Sequence, residues 1–221
     1  MEPRLMPYKT VSQFGQDEIV IHKSRFIGLC APCTSEEQAL DFLAQCRARY
    51  KDANHHCYAY IIGRNAGVMR YSDDGEPGGT AGLPIIGVLK SRALVDVVVV
   101  VARYFGGVLL GAGGLTRAYT QGCAIAVAAA GEVEMCPCRD YLMDLPYGLL
   151  GRFENEIKTQ PLQVLEKEFG VDVTVLVRMR DTYAPEFLAF AAELTAGKSE
   201  PILADEGFFP WAVGQEELHV D

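Results

Sequence analysis

The feature that most constrains the fold is an unbroken apolar run of valines that ends in alanine, from Val97 to Ala102. Such a run is typical of a strand covered on both faces, because a strand with one wet face would alternate polar and apolar residues. We therefore predict that it is the central strand of a sheet. Residues 115–130, rich in alanine and poor in β-branched residues, are predicted to form a packed helix after it.

A glycine-rich segment separates this strand from the helix, and it opens with Arg103-Tyr104-Phe105. A strand, a glycine turn and a helix N-terminus together form a place where backbone N–H groups can bind an anion. The spacing G-G-x-x-x-G-x-G-G matches neither the phosphate loop that ends in Gly-Lys-Ser/Thr nor the dinucleotide pattern G-x-G-x-x-G. An anion-binding turn and a purely structural turn therefore both stay open. The glycines are Gly106, Gly107, Gly111, Gly113 and Gly114.

An acidic glycine loop comes before the strand, with Asp73, Asp74, Gly75 and Glu76 in succession. It is either a solvated turn or a loop that presents its carboxylates for function. Arg103 follows a strand that is too apolar to be exposed, and an unpaired buried guanidinium is costly. We therefore predict that Arg103 pairs with this loop and joins it to the glycine turn.

The remaining N-terminal residues show strand and helix patterns in turn. A capping box at Ser35 predicts a helix that lies beside the C-x-x-C pair Cys30 and Cys33. The predicted elements are a hairpin of Tyr8–Val11 with Glu18–Cys30, the helix Ser35–Tyr50, a strand His55–Ile62 with its partner Val68–Tyr71, and a short helix from Pro84 to Ser91.

A cysteine nucleophile is one enzyme hypothesis for the strand 55–62. Alternation places His55 and Cys57 on one face of the strand and His56 on the other, so only His55 could serve Cys57 as a base. The face of Cys57 continues into apolar residues, which favours a buried and inert thiol.

Charge divides the 221 residues into two parts. Acidic and basic side chains balance over residues 1–136, so the whole net charge of −9 lies in residues 137–221. An acidic domain lacks the counterion release that supplies nonspecific affinity for nucleic acid, so any such contact is expected in the first part. We predict two domains, 1–136 and 137–221, with Cys136-Pro137-Cys138 at the boundary.

The seven cysteines and the absence of a signal-like or membrane-spanning segment predict a cytoplasmic protein with reduced thiols and no membrane contact. We interpret Cys30 and Cys33 as two cysteines at the end of a strand and not as a redox motif, because no thioredoxin-like βαβ pattern surrounds them. A zinc site formed with Cys136 and Cys138 has the right count but the wrong spacing. No metal and no cofactor is predicted.

Three long motifs follow one another along the first part of the chain. They are His55-x-Cys57-x-Ala59-Tyr60, Tyr71-Ser-Asp-Asp-Gly-Glu-Pro77-x-Gly-Thr-Ala-Gly82 and Val101-x-Arg103-Tyr-Phe-Gly-Gly107-x-x-Leu-Gly111-x-Gly-Gly-Leu115-x-x-Ala118-Tyr119. Together they resemble the motifs of the YigZ/IMPACT family. The resemblance implies an α+β protein. Its N-terminal domain is expected to be similar to the second domain of ribosomal small-subunit protein five. Its C-terminal domain is expected to be ferredoxin-like and to resemble the last domain of elongation factor G.

The strand and helix patterns of the C-terminal part predict the order βαββαβ without reference to the resemblance. They are therefore compatible with a ferredoxin-like domain. The predicted elements are Asp140–Pro146, Leu149–Lys158, Leu162–Phe169, Val171–Met179, Pro185–Ala196 and Pro201–Val213.

The function implied by the resemblance is that of a translation-linked regulatory or binding protein. Its N-terminal cleft would contact nucleic acid, the ribosome or a protein partner, and no catalytic residue is assigned. The alternative is a small-molecule phosphotransferase or nucleotide-binding enzyme that uses the turn 106–114 for phosphate and the acidic loop for magnesium. That alternative lacks a base and a lysine to complete it. The predicted ligand- or partner-binding residues are His55, Asp73, Asp74, Gly75, Glu76, Arg103, Tyr104, Gly106, Gly107, Gly111, Gly113, Gly114 and Arg117.

Overall fold

The computed structural model describes residues 6–212, and it shows a mixed α+β protein, as the sequence predicts. The chain divides into two compact units. One unit is Tyr8–Glu134, and the other combines Met6 and Pro7 with the residues from Met135 onward. We call them the N-terminal and the C-terminal unit.

The N-terminal unit alternates strands and helices and ends where a long strand begins at Glu132. Its elements are β1 (Tyr8–Val11), β2 (Gly15–Ile21), β3 (Ser24–Pro32), α1 (Glu36–Arg49), β4 (His55–Ile62), β5 (Val68–Ser72), α2 (Gly82–Ser91), β6 (Val97–Tyr104) and α3 (Gly111–Ala130).

The apolar run forms β6, which is the central strand of an antiparallel sheet with the order β2-β3-β6-β4-β5. Val99 and Val101 pack against the core that α2 and α3 cover, and Val98 and Val100 lie on the side of α1. All four are almost completely buried, so the prediction of a strand covered on both faces is confirmed.

The predicted hairpin between β1 and residues 18–30 is wrong, because those residues turn back on themselves. They form the hairpin of β2 with β3, in which Ile21 pairs with Ser24. The two residues between them, His22 and Lys23, have φ angles of 46° and 66°. Two successive positive φ angles are typical of a type I′ turn, whose twist suits a hairpin. The sequence does not indicate this turn, because neither His22 nor Lys23 is the glycine or asparagine that usually occupies such positions.

The predicted N-cap of α1 is confirmed, since the Ser35 hydroxyl accepts a hydrogen bond from the backbone N–H of Gln38 at 3.2 Å. The reciprocal bond differs from that of a capping box. The side-chain oxygen of Gln38 accepts from the backbone N–H of Thr34 at 2.9 Å, one residue earlier than expected.

Helix α3 begins at Gly111, one turn before the predicted start at Leu115. The glycine cluster is therefore divided between a loop, which holds Gly106 and Gly107, and the first turn of the helix. Gly106 is required sterically, because a Cβ there would lie 2.0 Å from the carbonyl carbon of Lys23.

The same helix lies unusually close to the sheet. A Cβ at Gly28 in β3 would lie 2.1 Å from the carbonyl oxygen of Gly122 in the middle of α3. A Cβ at Gly15 in β2 would lie 2.1 Å from the backbone nitrogen of Ala130 at the end of the helix. Glycine at these two strand positions therefore sets the distance between α3 and the sheet.

The C-terminal unit follows the predicted order of strands and helices. Its elements are β7 (Glu132–Leu145, of which the first three residues belong to the N-terminal unit), α4 (Tyr147–Glu156), β8 (Leu162–Phe169), β9 (Val173–Arg180), α5 (Ala184–Thr195) and β10 (Ile202–Ala212). β9 pairs antiparallel with β7 and β8, and β10 also pairs with β7. The core contains Phe153 from α4 and Phe187 from α5. The predicted end of the last strand at Val213 lies outside the described residues.

One expected feature is absent from β7. Pro137 was expected at a break between domains, but it lies inside a continuous strand that begins at Glu132 instead of Asp140. Cys136 and Cys138 on either side are buried with Trp211 of β10 in a small cluster of their own. Among residues 6–212, no helix is long and apolar enough to cross a membrane.

Candidate functional site

A cleft of 480 Å³ lies in the N-terminal unit between the end of β6, the acidic loop after β5 and the start of α3. Its wall includes His55, Glu76, Arg103, Phe105, Gly111 and Ala112. The sheet register brings two of these together, because His55 at the start of β4 lies opposite Arg103 near the end of β6.

The ion pair of Arg103 with Glu76 forms the floor of the cleft. The Nη1 atom of Arg103 lies 2.6 Å from Oε1 of Glu76, and only 5% and 8% of the two residues are exposed. This pair confirms the predicted link between Arg103 and the acidic loop. Tyr119 of α3 donates its hydroxyl to the same carboxylate oxygen at 2.7 Å. Burial raises the pKa of Tyr119 well above its usual value, so the phenol stays protonated as the donor.

The guanidinium of Arg103 has further neighbours. Its carbon lies 5.3 Å from the ring centroid of Phe26 and 5.6 Å from that of Phe105, within reach of cation–π contacts. Nη2 lies 3.4 Å from the hydroxyl of Ser24, which also accepts the backbone N–H of Gly106 at 3.1 Å. The Nε atom of Arg103 is buried and has no hydrogen-bond partner.

Asp73 has a structural role. Its carboxylate accepts the backbone N–H groups of Gly79, Ala81 and Gly82 at 2.8–3.0 Å, at the start of α2. Partial burial raises the pKa of Asp73, but these three hydrogen bonds together outweigh that effect and lower it below its usual value. The carboxylate is thus ionised, and both of its oxygen atoms already accept hydrogen bonds inside the protein.

Asp74 positions His55 through its backbone. Its carboxylate accepts the backbone N–H of His56 at 2.6 Å and a guanidinium N–H of Arg47 at 2.9 Å. Its carbonyl oxygen lies 2.8 Å from Nδ1 of His55, and a carbonyl can only accept, so Nδ1 carries a proton. The other ring nitrogen of His55, Nε2, lies 3.9 Å from the Glu76 carboxylate.

Eight of the thirteen predicted site residues are outside the wall of the cleft, and Tyr104 and Arg117 are two of them. Tyr104 projects to the opposite face of the sheet, where it packs beside the cluster of α1 and lies 5.8 Å below the guanidinium of Arg25. Arg117 is exposed on α3, outside the wall of the cleft. Alternation along β6 explains why Tyr104 projects to the face opposite Arg103, since adjacent strand residues face opposite sides.

The glycines of the motif have different roles. Gly75 and Gly111 line the cleft, with positive φ angles of 88° and 66°. Gly106 and Gly107 shape the loop, and Gly113 and Gly114 belong to the first turn of α3. Sequence reasoning did not assign Phe105, Ala112 and Ser24 to the site. Only the position of Phe105 two residues after Arg103 could have indicated its role.

The Cys57 thiol is unsuited to nucleophilic catalysis. It is fully buried and donates to the carbonyl oxygen of Asp73 at 3.0 Å. Burial raises its pKa to about 12, so the thiolate is not formed near neutral pH. All seven cysteines are free and buried. Within residues 6–212, no group of three or more His, Cys, Asp or Glu side chains could hold a metal ion.

The first turn of α3 faces the cleft without a side-chain cap. The N-cap residue is Leu110, which cannot accept a hydrogen bond through its side chain. The first N–H groups of a helix have no partner inside it and carry the positive end of the helix dipole. Because Gly111 and Ala112 are in the wall of the cleft, these donors lie at its edge.

Comparisons with known proteins agree over most of the chain. Residues 22–127 match the Impact N-terminal domain, and residues 143–198 match a domain of unknown function (DUF1949). The IMPACT family member YvyE of Bacillus subtilis is 39% identical over 196 residues, which are 89% of this chain and 90% of that protein. The IMPACT family member YigZ of Escherichia coli is 31% identical over 208 residues, which are 93% of this chain and all of that protein.

One solved structure, titled as the crystal structure of a hypothetical protein, is 30% identical with a TM-score of 0.57. The match covers 91% of this chain and 99% of that one. Both parts of the chain are thus matched in sequence, and a solved structure matches it along most of its length. The chain therefore belongs to the IMPACT family.

Proposed function

We propose that the chain is a translation-linked binding protein that contacts RNA through the cleft of its N-terminal unit. Membership of the IMPACT family supports the link to translation. The further proposal that the two units resemble the second domain of ribosomal small-subunit protein five and the last domain of elongation factor G would fit the same role. Fold likeness alone is a weak reason for a function, so the residues of the cleft are the main support for RNA binding.

The observation that carries the proposal is the state of the carboxylates around the cleft. Glu76 is held by Arg103 and Tyr119, Asp73 by three backbone N–H groups, and Asp74 by Arg47 and a backbone N–H. The other groups in the wall of the cleft are helix N–H donors, apolar side chains, and the uncharged polar side chain of Asn54 together with the ring of His55. A surface of this kind suits a ligand with anionic groups and planar apolar parts, as RNA has.

The apolar part of the cleft is suited to a nucleobase. Phe105 is 47% exposed at the cleft, and Leu109 in the loop beside it is 88% exposed. A base that stacks on an aromatic side chain contributes about 1–3 kcal/mol to binding. The balanced charge of residues 1–136 gives little nonspecific affinity, so we expect contact at this cleft instead of along a broad basic surface.

Phe105→Ala tests this proposal. We expect the variant to bind single-stranded RNA about 5- to 150-fold more weakly than the parent protein, which corresponds to the loss of one stacking contact. Fluorescence anisotropy at fixed salt would measure it. Phe14→Ala is the matched control, because Phe14 is also 47% exposed but lies outside the cleft. Equal affinities of both variants, or a parent protein that binds a protein partner and no RNA, would contradict the proposal.

The same carboxylates argue against the phosphotransferase alternative. Magnesium would need Asp73, Asp74 or Glu76, and each already has partners inside the protein. We expect no rise in melting temperature with ATP and magnesium. A bound nucleotide at a hundredfold excess over its dissociation constant would add about 2.7 kcal/mol to the free energy of unfolding. A magnesium-dependent shift of that size would favour the enzyme.

A further inference from the structure

We infer that His55 and Asn54 form a subsite for a ribose 2′-hydroxyl, and that this subsite lets the cleft distinguish RNA from DNA. The inference rests on the proposed function, because RNA must enter the cleft for the subsite to act. It adds a narrower claim about which atoms recognise the sugar of a base that stacks on Phe105.

His55 supplies the hydrogen-bond acceptor. Its Nδ1 atom donates to the carbonyl oxygen of Asp74 at 2.8 Å, so a neutral ring has its lone pair on Nε2. Nε2 lies 3.9 Å from the Glu76 carboxylate, which is too far for a hydrogen bond, and it has no other partner among residues 6–212. The side chain is 25% exposed in the wall of the cleft, and Nε2 is not one of the buried polar atoms that lack a partner. Nε2 is therefore an acceptor that a ligand in the cleft can reach.

Asn54 supplies a donor beside this acceptor. Its side-chain oxygen accepts the backbone N–H of Phe105 at 2.8 Å. Because a backbone N–H can only donate, this bond fixes the orientation of the amide and leaves its NH2 group as a donor. No hydrogen bond within residues 6–212 uses that NH2 group, and Asn54 is exposed in the wall of the cleft.

The position of Asn54 is fixed at the end of β6. Its backbone N–H donates to the carbonyl oxygen of Arg103 at 2.8 Å, and its side chain holds the backbone of Phe105 two residues later. The ring of Phe105 is 47% exposed in the same wall. The polar pair and the aromatic surface are thus held together by short hydrogen bonds between neighbouring strands.

A hydroxyl group matches the two side chains. It can donate its proton to Nε2 of His55 and at the same time accept a hydrogen bond from the amide of Asn54. An ionised phosphate has no proton to donate, and at this point it would meet the lone pair of Nε2 and the nearby Glu76 carboxylate. Each sugar of RNA carries a 2′-hydroxyl, which DNA lacks, so a base stacked on Phe105 would bring this group into the cleft.

The test compares two single-stranded oligonucleotides of one uracil-containing sequence, one built on ribose and the other on 2′-deoxyribose. The bases and the phosphates are the same in both, so the oligonucleotides differ in the 2′-hydroxyl alone. We expect the parent protein to bind the ribose form about 2- to 12-fold more tightly, which corresponds to one hydrogen bond. Fluorescence anisotropy at fixed salt measures both affinities, and their ratio is the readout.

His55→Asn removes the acceptor but keeps the contact with Asp74. The NH2 group of the asparagine takes the place of Nδ1 and can donate to the same carbonyl oxygen, so the variant should fold. We expect the ratio of the two affinities to fall to nearly one. His22→Asn is the matched control and should keep the parent ratio. His22 is exposed outside the wall of the cleft, and its φ of 46° suits asparagine.

The outcomes separate this inference from the proposed function. A parent protein that binds the deoxyribose form at least as tightly as the ribose form would overturn the subsite and leave RNA binding intact. An unchanged ratio in His55→Asn, or the same fall in His22→Asn, would overturn it as well, because the discrimination would then come from other atoms. A parent protein that binds neither oligonucleotide would overturn the proposed function and this inference with it.

Discussion

At the scale of single residues, the pair of Arg103 with Glu76 is the contact on which the floor of the cleft depends. Arg103→Met would leave the Glu76 carboxylate buried without its cation, and we expect a loss of about 3–5 kcal/mol in the free energy of unfolding. Arg103→Lys keeps the positive charge but loses the planar guanidinium with its paired N–H donors. We therefore expect it to weaken RNA binding more strongly than it lowers the free energy of unfolding. Urea unfolding and RNA titration of the two variants would measure these effects.

A double variant controls for the loss of packing around the arginine. If the cost comes from the uncompensated carboxylate, adding Glu76→Gln to Arg103→Met should restore part of the stability. If the double variant is less stable than Arg103→Met, the ion pair is not the source of the loss.

The buried thiols predict how stability depends on pH. Burial raises the pKa from 9.0 to about 12 for the thiols of Cys46, Cys57, Cys123 and Cys138. Between pH 9 and 12 the unfolded chain loses these protons while the folded chain keeps them. The free energy of unfolding should therefore fall as pH rises above 9, by about 1.4 kcal/mol per pH unit for each thiol. Below pH 9 the thiols are protonated in both states and contribute no slope.

Urea unfolding at pH 8, 9 and 10 would show this loss. Cys123→Ala removes one such group from a fully buried position, so its stability should fall less steeply over the same range. An equal slope in this variant would mean that other groups cause the alkaline loss.

At the scale of the secondary-structure elements, the N-cap of α1 offers a local test. Ser35→Ala removes the oxygen that accepts the Gln38 N–H, and we expect a loss of about 1 kcal/mol in the free energy of unfolding. Ser35→Asp keeps an acceptor at the same place and should keep the stability. A loss in both variants would show that the hydroxyl has a role other than capping.

Elements with a strong periodic or apolar pattern could be predicted from the sequence. The strand of residues 97–102, the helix after Ser35 and the strand 55–62 lie where their patterns indicate. The turn at His22 and Lys23 could not be predicted, because it has positive φ angles at residues that carry no turn signal. The tertiary structure around these residues decides their conformation.

The site could be predicted only in part. The pairing of Arg103 with the acidic loop follows from the cost of a buried charge, and Glu76 is its partner. Which carboxylate would pair depended on loop geometry, since Asp73 and Asp74 turn toward backbone N–H groups instead. The contribution of Ala112 depends on where α3 begins, and the ends of helices are the least certain part of a sequence prediction.

At the scale of the whole molecule, each unit has its own hydrophobic core, which predicts separate unfolding. Phe153 is fully buried in the C-terminal unit, so Phe153→Ala should remove about 3–5 kcal/mol from that unit. We expect hydrogen exchange to show lost amide protection in residues 135–212 and unchanged protection in residues 8–134.

Leu89→Ala is the reciprocal variant, because Leu89 is fully buried in the core of the N-terminal unit. It should reduce protection in residues 8–134 alone. Loss of protection throughout the chain in either variant would show that the two units unfold as one.

The close seat of α3 on Gly28 has a mechanical consequence for the cleft. About 11 residues, or roughly 16 Å of helix, separate Gly122 from the N–H donors at Gly111. A small rotation of the helix about Gly122 would therefore displace its N-terminal end at the cleft. A tilt of about 5° at the pivot would swing the donor end by roughly 1.4 Å over that length. A methyl group added at Gly28 would clash with the backbone of Gly122, so the helix or the strand would have to move, and Gly28 itself is outside the wall of the cleft. The width of the cleft thus depends on Gly28, a residue that does not line the cleft.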